Sequence, residues 1–133
     1  MPNRAVPALV LIGSLLAPAI PALAQDCLHG PNERAADRSR RKDAVQMAAA
    51  INAAEARIIG PKTPAYKPLD KLLNVPPAPR GFELRFYLDE SGQSYLFSIR
   101  DTLDACRYTV FSDQDGRVYA ASPLRGPFIL PTR

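Results

Sequence analysis

The chain contains a single histidine, His29, and no other residue in it has so wide a catalytic repertoire. Nucleophilic catalysis by serine or cysteine needs a base that a third group holds in place, and His29 would have to be that base. It lies two residues after Cys27. Because an oxidised Cys27 has no thiolate to act as a nucleophile, we interpret His29 as a surface histidine beside a disulfide. No catalytic residue is predicted from this pair.

The sequence also offers little to a metal ion. Zinc sites need three or four ligands, and one histidine with two separated cysteines does not provide them. The segment Asp113–Gly116 is similar to part of a calcium-binding loop, in which oxygen ligands also occupy the first and last positions. Those positions fall on Phe111 and Ser122, which carry no carboxylate. We therefore predict a turn at 113–116, no metal site and no cofactor.

Two acidic residues, Asp101 and Asp104, share one predicted loop. Such a pair could serve as the two carboxylates of a glycosidase. An aspartate in a loop also accepts hydrogen bonds from the backbone of its own turn, and this explains Asp101 better. The sequence has no glycine-rich loop that would cradle a phosphate. We therefore expect a protein that is not an enzyme.

Residues 1–24 have the layout of a secretory signal peptide, which we expect to be removed. Arg4 precedes an apolar run, Ala5–Ile20, and Ala22-Leu23-Ala24 forms a cleavage site. The alternative is a retained membrane anchor, but prolines interrupt the run, which is shorter than the ~20 clean apolar residues of a spanning helix. Residues 25–133 then form a single exported domain, periplasmic or secreted.

Both cysteines, Cys27 and Cys106, lie in this exported domain. In an oxidising compartment the one possible pairing predicts a disulfide bond between them. The chain-entropy model gives a loop of this length about 4–5 kcal/mol of stabilisation, from which strain in the native state subtracts. Two free thiols, or thiols that pair between molecules, are the alternative.

The charge of the chain limits the classes of partner that it is expected to bind. There are 17 basic and 13 acidic residues, a net charge of +4, and the two signs are interspersed. Nucleic-acid-binding proteins instead cluster their cations on one face. We therefore expect no nucleic-acid partner, no stable membrane span after cleavage, and an unknown protein partner in the cell envelope.

The element that must position all of these residues is a long N-terminal helix over about Glu33–Ile59, with Asn32 as its N-cap. Gly60-Pro61 is a typical stop signal after it. Apolar residues recur along the helix at the spacing of one core-facing side. This apolar stripe consists of Ala44, Met47, Ala48, Ile51, Ala54 and Ile58.

The first turns of the helix carry eight charged residues in the eleven positions 33–43. Extending the apolar stripe backwards reaches Glu33, Asp37 and Arg40, so we expect these turns to leave the core and stand in water. The possible partner surface has a basic arc and an outer apolar helix face: Arg34, Arg38 and Arg41, then Val45, Ala49, Asn52, Ala53 and Ala56. The arc could dock an acidic protein or anionic lipid headgroups, or be an ordinary exposed helix end. The alanines could form a second packing surface, or simply reflect helix propensity.

Residues 60–81 contain six prolines and form a connection that is either a functional loop or a crossover strapped to the core. A short helical turn at Leu69–Leu73 is expected to pin it. Alternating apolar residues then predict four strands, at Phe82–Leu88, Ser94–Ile99, Cys106–Val110 and Val118–Ala120. Short turns between the strands indicate an antiparallel meander. The predicted fold is α+β, with one long N-terminal helix packed on a four-stranded antiparallel meander.

Residues 44–121 resemble the globular head of type IV pilins and pseudopilins. The resemblance rests on the helix segment 48–55 (AAAINAAE), Tyr66, the strand 95–99 (YLFSI) and the segment 111–119 (FSDQDGRVY). The usual prepilin leader is missing, since the N-terminal apolar run has no acidic residue. The resemblance implies a soluble pilin-like head with the alanine-rich helix face as a contact surface.

Together these patterns predict a non-enzymatic exported binding or assembly protein with a pilin-like head. The alternative is a small inhibitor of an exported hydrolase. Such an inhibitor would present the 61–80 connection or the Arg100–Ala105 loop to its target.

Overall fold

The structure is a computed structural model that describes residues 27–62, 65–122 and 128–129, the last two by their backbone. The predicted signal peptide, residues 1–24, lies outside the described residues. Within them the chain forms a helix, a 3-10 turn and a sheet: α1 Ala35–Ile58, the 3-10 turn Leu69–Lys71, β1 Phe82–Leu88, β2 Tyr95–Asp101, β3 Thr109–Asp113, β4 Tyr119–Ala121 and β5 Phe128–Ile129. The predicted α+β class is confirmed.

Each strand pairs antiparallel with the next one in sequence, so the sheet order is β1-β2-β3-β4-β5. The predicted meander is present as β1–β4, and β5 adds two residues beside β4. The third strand was predicted to begin at Cys106, but β3 begins at Thr109. The reason is a tight loop before it, in which Arg107 donates its backbone N–H to the Asp104 carbonyl at 2.9 Å.

The apolar stripe of α1 is buried as predicted from Ala44 to Ala54, and its last member, Ile58, is half-buried. Ala44, Ala48 and Ile51 have no exposed surface, and they face a sheet side whose largest buried side chains include Phe97 and Ile99. Apolar residues recur every three to four positions on the helix and every second position on a strand. The two periodicities meet in a single core, and the strongest helix–sheet contact is between α1 and β3.

Helix α1 is shorter than predicted and does not lie at the beginning of the described chain. It begins at Ala35 with Arg34 as its N-cap, and no side chain caps it, whereas Asn32 lies outside the helix. The segment 27–34 precedes it. No helix in the described part of the chain combines the length and the apolar character that are needed to span a bilayer.

Candidate functional site

His29 is buried, not on the surface as predicted. Its Nδ1 lies 2.7 Å from Glu33 Oε1 and its Nε2 lies 2.7 Å from Asp101 Oδ2, and only 9% of the residue is exposed. The ring also contacts the Tyr108 ring, with 4.7 Å between centroids. Carboxylate oxygens therefore contact both nitrogens of the only imidazole.

Arg40 continues this arrangement on α1. Its Nη2 donates to Asp101 Oδ1 at 2.8 Å and its Nη1 donates to Asp37 Oδ1 at 3.1 Å. Its Nε donates to the Arg80 carbonyl at 3.0 Å, and its guanidinium lies 5.2 Å from the centroid of the Phe82 ring. One arginine therefore links the helix to the start of β1 and the end of β2.

The prediction that the first helical turns stand in water is wrong for the three residues named. The side chains of Glu33 and Asp37 are 6% and 5% exposed, and that of Arg40 is 18% exposed. Charged groups are rarely buried unless a partner of opposite charge accompanies them. Here each acid has such a partner, so the positions that extend the apolar stripe remain inside the protein.

Glu33 has the strongest set of partners. Arg41 donates to both of its oxygens, at 2.8 and 2.9 Å, in the bidentate geometry that arginine and carboxylate favour. The hydrogen bond from Arg41 lowers the pKa of Glu33 to about 2, against an opposing effect of burial and with a further contribution from His29. Hydrogen bonds from Arg34 likewise lower the pKa of Asp37.

The loop from Asp101 to Arg107, which we call the anchored loop, is held from inside by two buried aspartates. Asp101 Oδ1 accepts the Leu103 N–H at 2.9 Å, the turn hydrogen bond predicted for this residue. Asp104 accepts three backbone N–H groups, from Leu28 (3.0 Å), Cys106 (3.1 Å) and Tyr108 (3.0 Å). Neither carboxylate faces solvent, since Asp101 is 1% exposed and Asp104 3%. They do not form an accessible catalytic pair.

The predicted disulfide is present and ties the same loop to the N-terminal segment. Cys27 and Cys106 are joined, with 5.2 Å between their Cα atoms. The hydrogen bond from Leu28 to Asp104 runs beside it. The segment 27–34, α1 and the anchored loop are thus joined at one place. The disulfide joins the segment to the loop covalently, and contacts between charged side chains add to it.

Leu103 lies on the outside of this arrangement. It is 61% exposed although it is a large apolar residue. The backbone at Gly81 lies directly beneath it, because a Cβ atom on Gly81 would stand 2.6 Å from Leu103 Cδ1. Thr102 donates both its N–H and its hydroxyl to the Gly81 carbonyl, at 2.8 and 2.9 Å. The loop therefore presents one apolar side chain on a fixed backbone.

The basic arc of the predicted partner surface is partly engaged within the chain. Arg41 is the bidentate partner of Glu33, Arg38 lies 3.5 Å from the same carboxylate, and Arg34 donates to Asp37 at 2.7 Å. The side chains of Arg34 and Arg38 are nevertheless 74% and 64% exposed. The arc remains reachable at its two outer members.

The outer helix face is narrower than predicted. Val45 packs against the core, and Asn52 donates to Ser112 Oγ at 2.9 Å and to the Gly116 carbonyl at 3.0 Å. Ala49 is half-buried, whereas Ala53 and Ala56 are exposed. Asn52 joins the helix to the turn between β3 and β4 and is not part of a free surface.

The sequence did not reveal the roles of Leu103 and Asp104 in the anchored loop. Leu103 was not selected, although an apolar residue between two loop aspartates is a detectable signal. Asp104 was considered only as a catalytic acid, whereas its three backbone hydrogen bonds give it a structural role. In the part of the chain that the structure describes, no group of three or more His, Cys, Asp or Glu residues is placed to hold a metal ion.

Comparisons of the chain with protein-family models, with curated proteins and with solved structures found no match. Chemically, the site is a network of hydrogen bonds and arginine–carboxylate ion pairs around a histidine, and the exposed Leu103 side chain lies above it. This arrangement can hold the surrounding surface in a fixed shape.

Proposed function

We propose that this chain is a non-enzymatic exported binding protein that recognises a protein partner in the cell envelope through the anchored loop. One observation carries the proposal: two buried aspartates and a disulfide fix a loop whose tip exposes Leu103. It is unusual for a loop that is fixed by so many contacts to expose a large apolar side chain at its tip. Binding residues are commonly placed on loops that a rigid scaffold positions.

Preorganisation is the physical reason to favour recognition. A flexible loop loses conformational entropy when it binds, at a cost of about 0.5–1.5 kcal/mol for each side chain immobilised. The anchored loop is already ordered, and Arg107 is even held at a positive φ of 53°, a conformation that non-glycine residues rarely adopt. Leu103 can therefore enter an apolar pocket of a partner with little further ordering of this backbone.

The occupied histidine supports a role other than catalysis. Both nitrogens of His29 lie at hydrogen-bond distance from carboxylates, so neither is free to take a proton from a nucleophile. Export is supported by the signal-peptide pattern in residues 1–24 together with the disulfide, which persists in oxidising compartments. We place the protein in the periplasm or outside the cell.

The pilin-like head remains part of the proposal in a secondary role. In such a head the alanine-rich helix face would provide an assembly contact. Ala53 and Ala56 are the members of that face that are exposed. Arg38 lies on the same helix, and Arg34 is its N-cap. Any contact there would be additional to the one made by the anchored loop.

A small inhibitor of an exported hydrolase is the second candidate, and Leu103 is again the reason. An exposed side chain on a rigid loop can fill the specificity pocket of an enzyme without reorganisation, as tight protease–inhibitor complexes illustrate. The two candidates share a surface and differ in the identity of the partner.

The test places a photo-crosslinking amino acid at position 103 in intact cells. The matched control carries it at position 96, because Leu96 is also a large exposed apolar residue, 52% exposed, on the sheet. We expect a discrete adduct from position 103 and none from position 96. The captured protein should bind the purified chain, and Leu103→Asp should weaken binding by about tenfold or more, a loss of about 1.4 kcal/mol or more.

Leu96→Asp should leave that affinity within about twofold, since it lies outside the anchored loop. Adding wild-type chain and Leu103→Asp to assays of periplasmic protease and lysozyme activity separates the two candidates. Inhibition that needs Leu103 identifies an inhibitor. Equal crosslinking at both positions, or no effect of Leu103→Asp on binding, contradicts the proposal.

A further inference from the structure

A second surface feature lies at the opposite end of α1 from the histidine network. It is a groove of about 570 Å³ between the last turns of the helix and the proline-rich connection. This C-terminal groove is lined by Ala54, Arg57, Ile58, Lys67, Lys71, Leu73 and Asn74. Its volume falls in the range of roughly 300–1,000 Å³ that is typical of small-ligand sites.

The walls of the C-terminal groove are mostly apolar. Ala54 and Ile58 belong to the apolar stripe of α1, and Leu73 stands on the other side with 76% of its surface exposed. Leu73 is the most exposed of the large apolar residues in the described part of the chain. Asn74, the residue after Leu73, has a left-handed backbone conformation with a φ of 63°. The turn at 73–74 thus aims an apolar side chain at the groove.

The polar residues of the groove are mainly cations. Arg57, Lys67 and Lys71 line it, and an apolar trough with three cations at its margin matches a ligand that has an apolar chain and a negative head. Arg57 lies in the last turn of α1. There it offsets the partial negative charge that the end of a helix carries.

Two acidic residues lie near these cations and affect the net charge at the margin of the groove. Asp70 Oδ2 is 3.1 Å from Lys71 Nζ in an exposed pair, which is a weak interaction in water. Glu55 is buried behind Lys67 and accepts its backbone N–H at 3.1 Å. Burial raises the pKa of Glu55, which disfavours its negative form. The cationic side therefore dominates at the margin of the groove.

We propose that the C-terminal groove binds the free carboxylate of a single-chain fatty acid, with the acyl chain between α1 and Leu73 and the head among the three cations. A double-chain phospholipid presents its headgroup at a membrane surface, whereas this groove of about 570 Å³ lies between a helix and a loop. The site shares no residue with the anchored loop. Its occupancy and the recognition of a protein partner are therefore independent.

The experiment is a calorimetric titration of the purified chain with dodecanoate below its critical micelle concentration. Dodecyltrimethylammonium, which has the same chain and the opposite charge, is the ligand control. We expect saturable one-to-one binding of dodecanoate, with an affinity at least about tenfold greater than for the cationic amphiphile. Raising the salt concentration should weaken the binding, because the charges at the margin are exposed.

Two variants test the position of the site. The double charge reversal Arg57→Glu/Lys71→Glu should weaken dodecanoate binding by about tenfold or more, and Leu73→Asp should do the same. The matched control is Lys42→Glu/Arg117→Glu, which changes net charge equally at two exposed residues outside the groove. It should bind within about twofold of wild type. All the substituted residues are exposed on the surface, and circular dichroism checks that each variant is folded.

Four results overturn the proposal. They are no binding of monomeric dodecanoate, equal binding of the cationic amphiphile, an equal loss in the control variant, and binding only to vesicles that contain phosphatidylglycerol. The last result would assign the cations to a membrane surface. Leu103→Asp should leave dodecanoate binding unchanged, so failure here and failure of the proposed protein recognition are distinguishable.

Discussion

His29 Nε2 lies 2.7 Å from Asp101 Oδ2, although the two residues are 72 positions apart in the chain. Asp101 in turn accepts from Arg40 on α1 and from the backbone of Leu103. A single buried carboxylate thus connects the N-terminal segment, the helix and the anchored loop. Both this network and the disulfide therefore hold the loop.

Replacing His29 should destabilise the whole protein. His29→Ala leaves two buried carboxylates, Glu33 and Asp101, without one of their hydrogen-bond partners, and removing such a partner from a buried group costs about 1–3 kcal/mol, or more for a charged group. Because Arg41 and Arg40 still neutralise the two acids, we expect a loss of about 3 kcal/mol. Urea unfolding measures it. Arg117→Ala, at an exposed residue, should change stability by less than about 0.5 kcal/mol, and equal effects would contradict a structural role for His29.

Stability should fall on the acid side in a way that depends on Glu33. Hydrogen bonding to Arg41 lowers its pKa to about 2, from a usual value of 4.5. An acid whose folded-state pKa is lowered contributes stability above its unfolded pKa and loses it as the pH falls through the folded value. The contribution of Glu33 is therefore complete above about pH 4.5 and is lost between about pH 4.5 and pH 2.

Thermal unfolding of wild type and Glu33→Gln over this pH range tests the assignment. The variant should be less stable at neutral pH, and the difference should shrink towards pH 2. Asp37, Glu83 and Asp89 also have lowered pKa values and decrease stability in acid in both proteins. A difference that does not change with pH would show that Glu33 acts through packing and not through its charge.

Gly81→Ala should disturb the tip of the anchored loop. Gly81 has a φ of 80°, and an added Cβ would meet Leu103 Cδ1 at 2.6 Å and Arg40 Nη2 at 2.9 Å. Gly116→Ala is the matched control, because Gly116 has a similar φ of 71° but open space around it. Both variants lose about 1 kcal/mol or more to backbone strain. Gly81→Ala should lose about 1–2 kcal/mol more in urea unfolding, and also lose partner binding, because it displaces Leu103.

Glu55→Gln should stabilise the protein at neutral pH. Glu55 is fully buried, and its Oε1 has no hydrogen-bond partner among the described residues. Burial raises its pKa, so ionisation in the folded state carries a penalty that is absent at low pH and grows as the pH rises through the raised value. The amide keeps an acceptor for the Lys67 N–H and avoids that charge.

We expect a gain of about 1 kcal/mol at pH 8, because burying a charged carboxylate costs more than burying a neutral amide. The gain should disappear near pH 4. Urea unfolding at the two pH values measures it. Glu90→Gln, at an exposed turn residue, should show no such dependence, and a loss of stability in Glu55→Gln would mean that the carboxylate is needed in its ionised form.

Local patterns were sufficient for the framework of the fold. The spacing of Ala44, Met47 and Ile51 identified the buried side of α1, and strict alternation identified β1 at both of its ends. The turn at Asp113–Gly116 followed from its residue types, and Gly116 has the positive φ expected there. These features depend on neighbours within a few residues, so they can be predicted from the sequence without knowledge of the fold.

The candidate site could not be read in this way. Whether Glu33 and Asp37 stand in water or in the interior depends on the arginines that accompany them, and the link to Asp101 spans most of the described chain. The sequence also does not distinguish Leu72, which is buried, from Leu73, which is 76% exposed. Adjacent residues of one type have no local feature that tells them apart.

The sequence by itself determined the helix stripe, the alternating strands and the one possible disulfide, since each follows from local periodicity or from a count. Only the tertiary structure decided that His29 is buried between two carboxylates and that Leu103 stands exposed above Gly81. The physical reason is that a buried polar or charged group needs a partner. Asp101 has its partners, His29 and Arg40, in distant parts of the chain, and only folding brings them together.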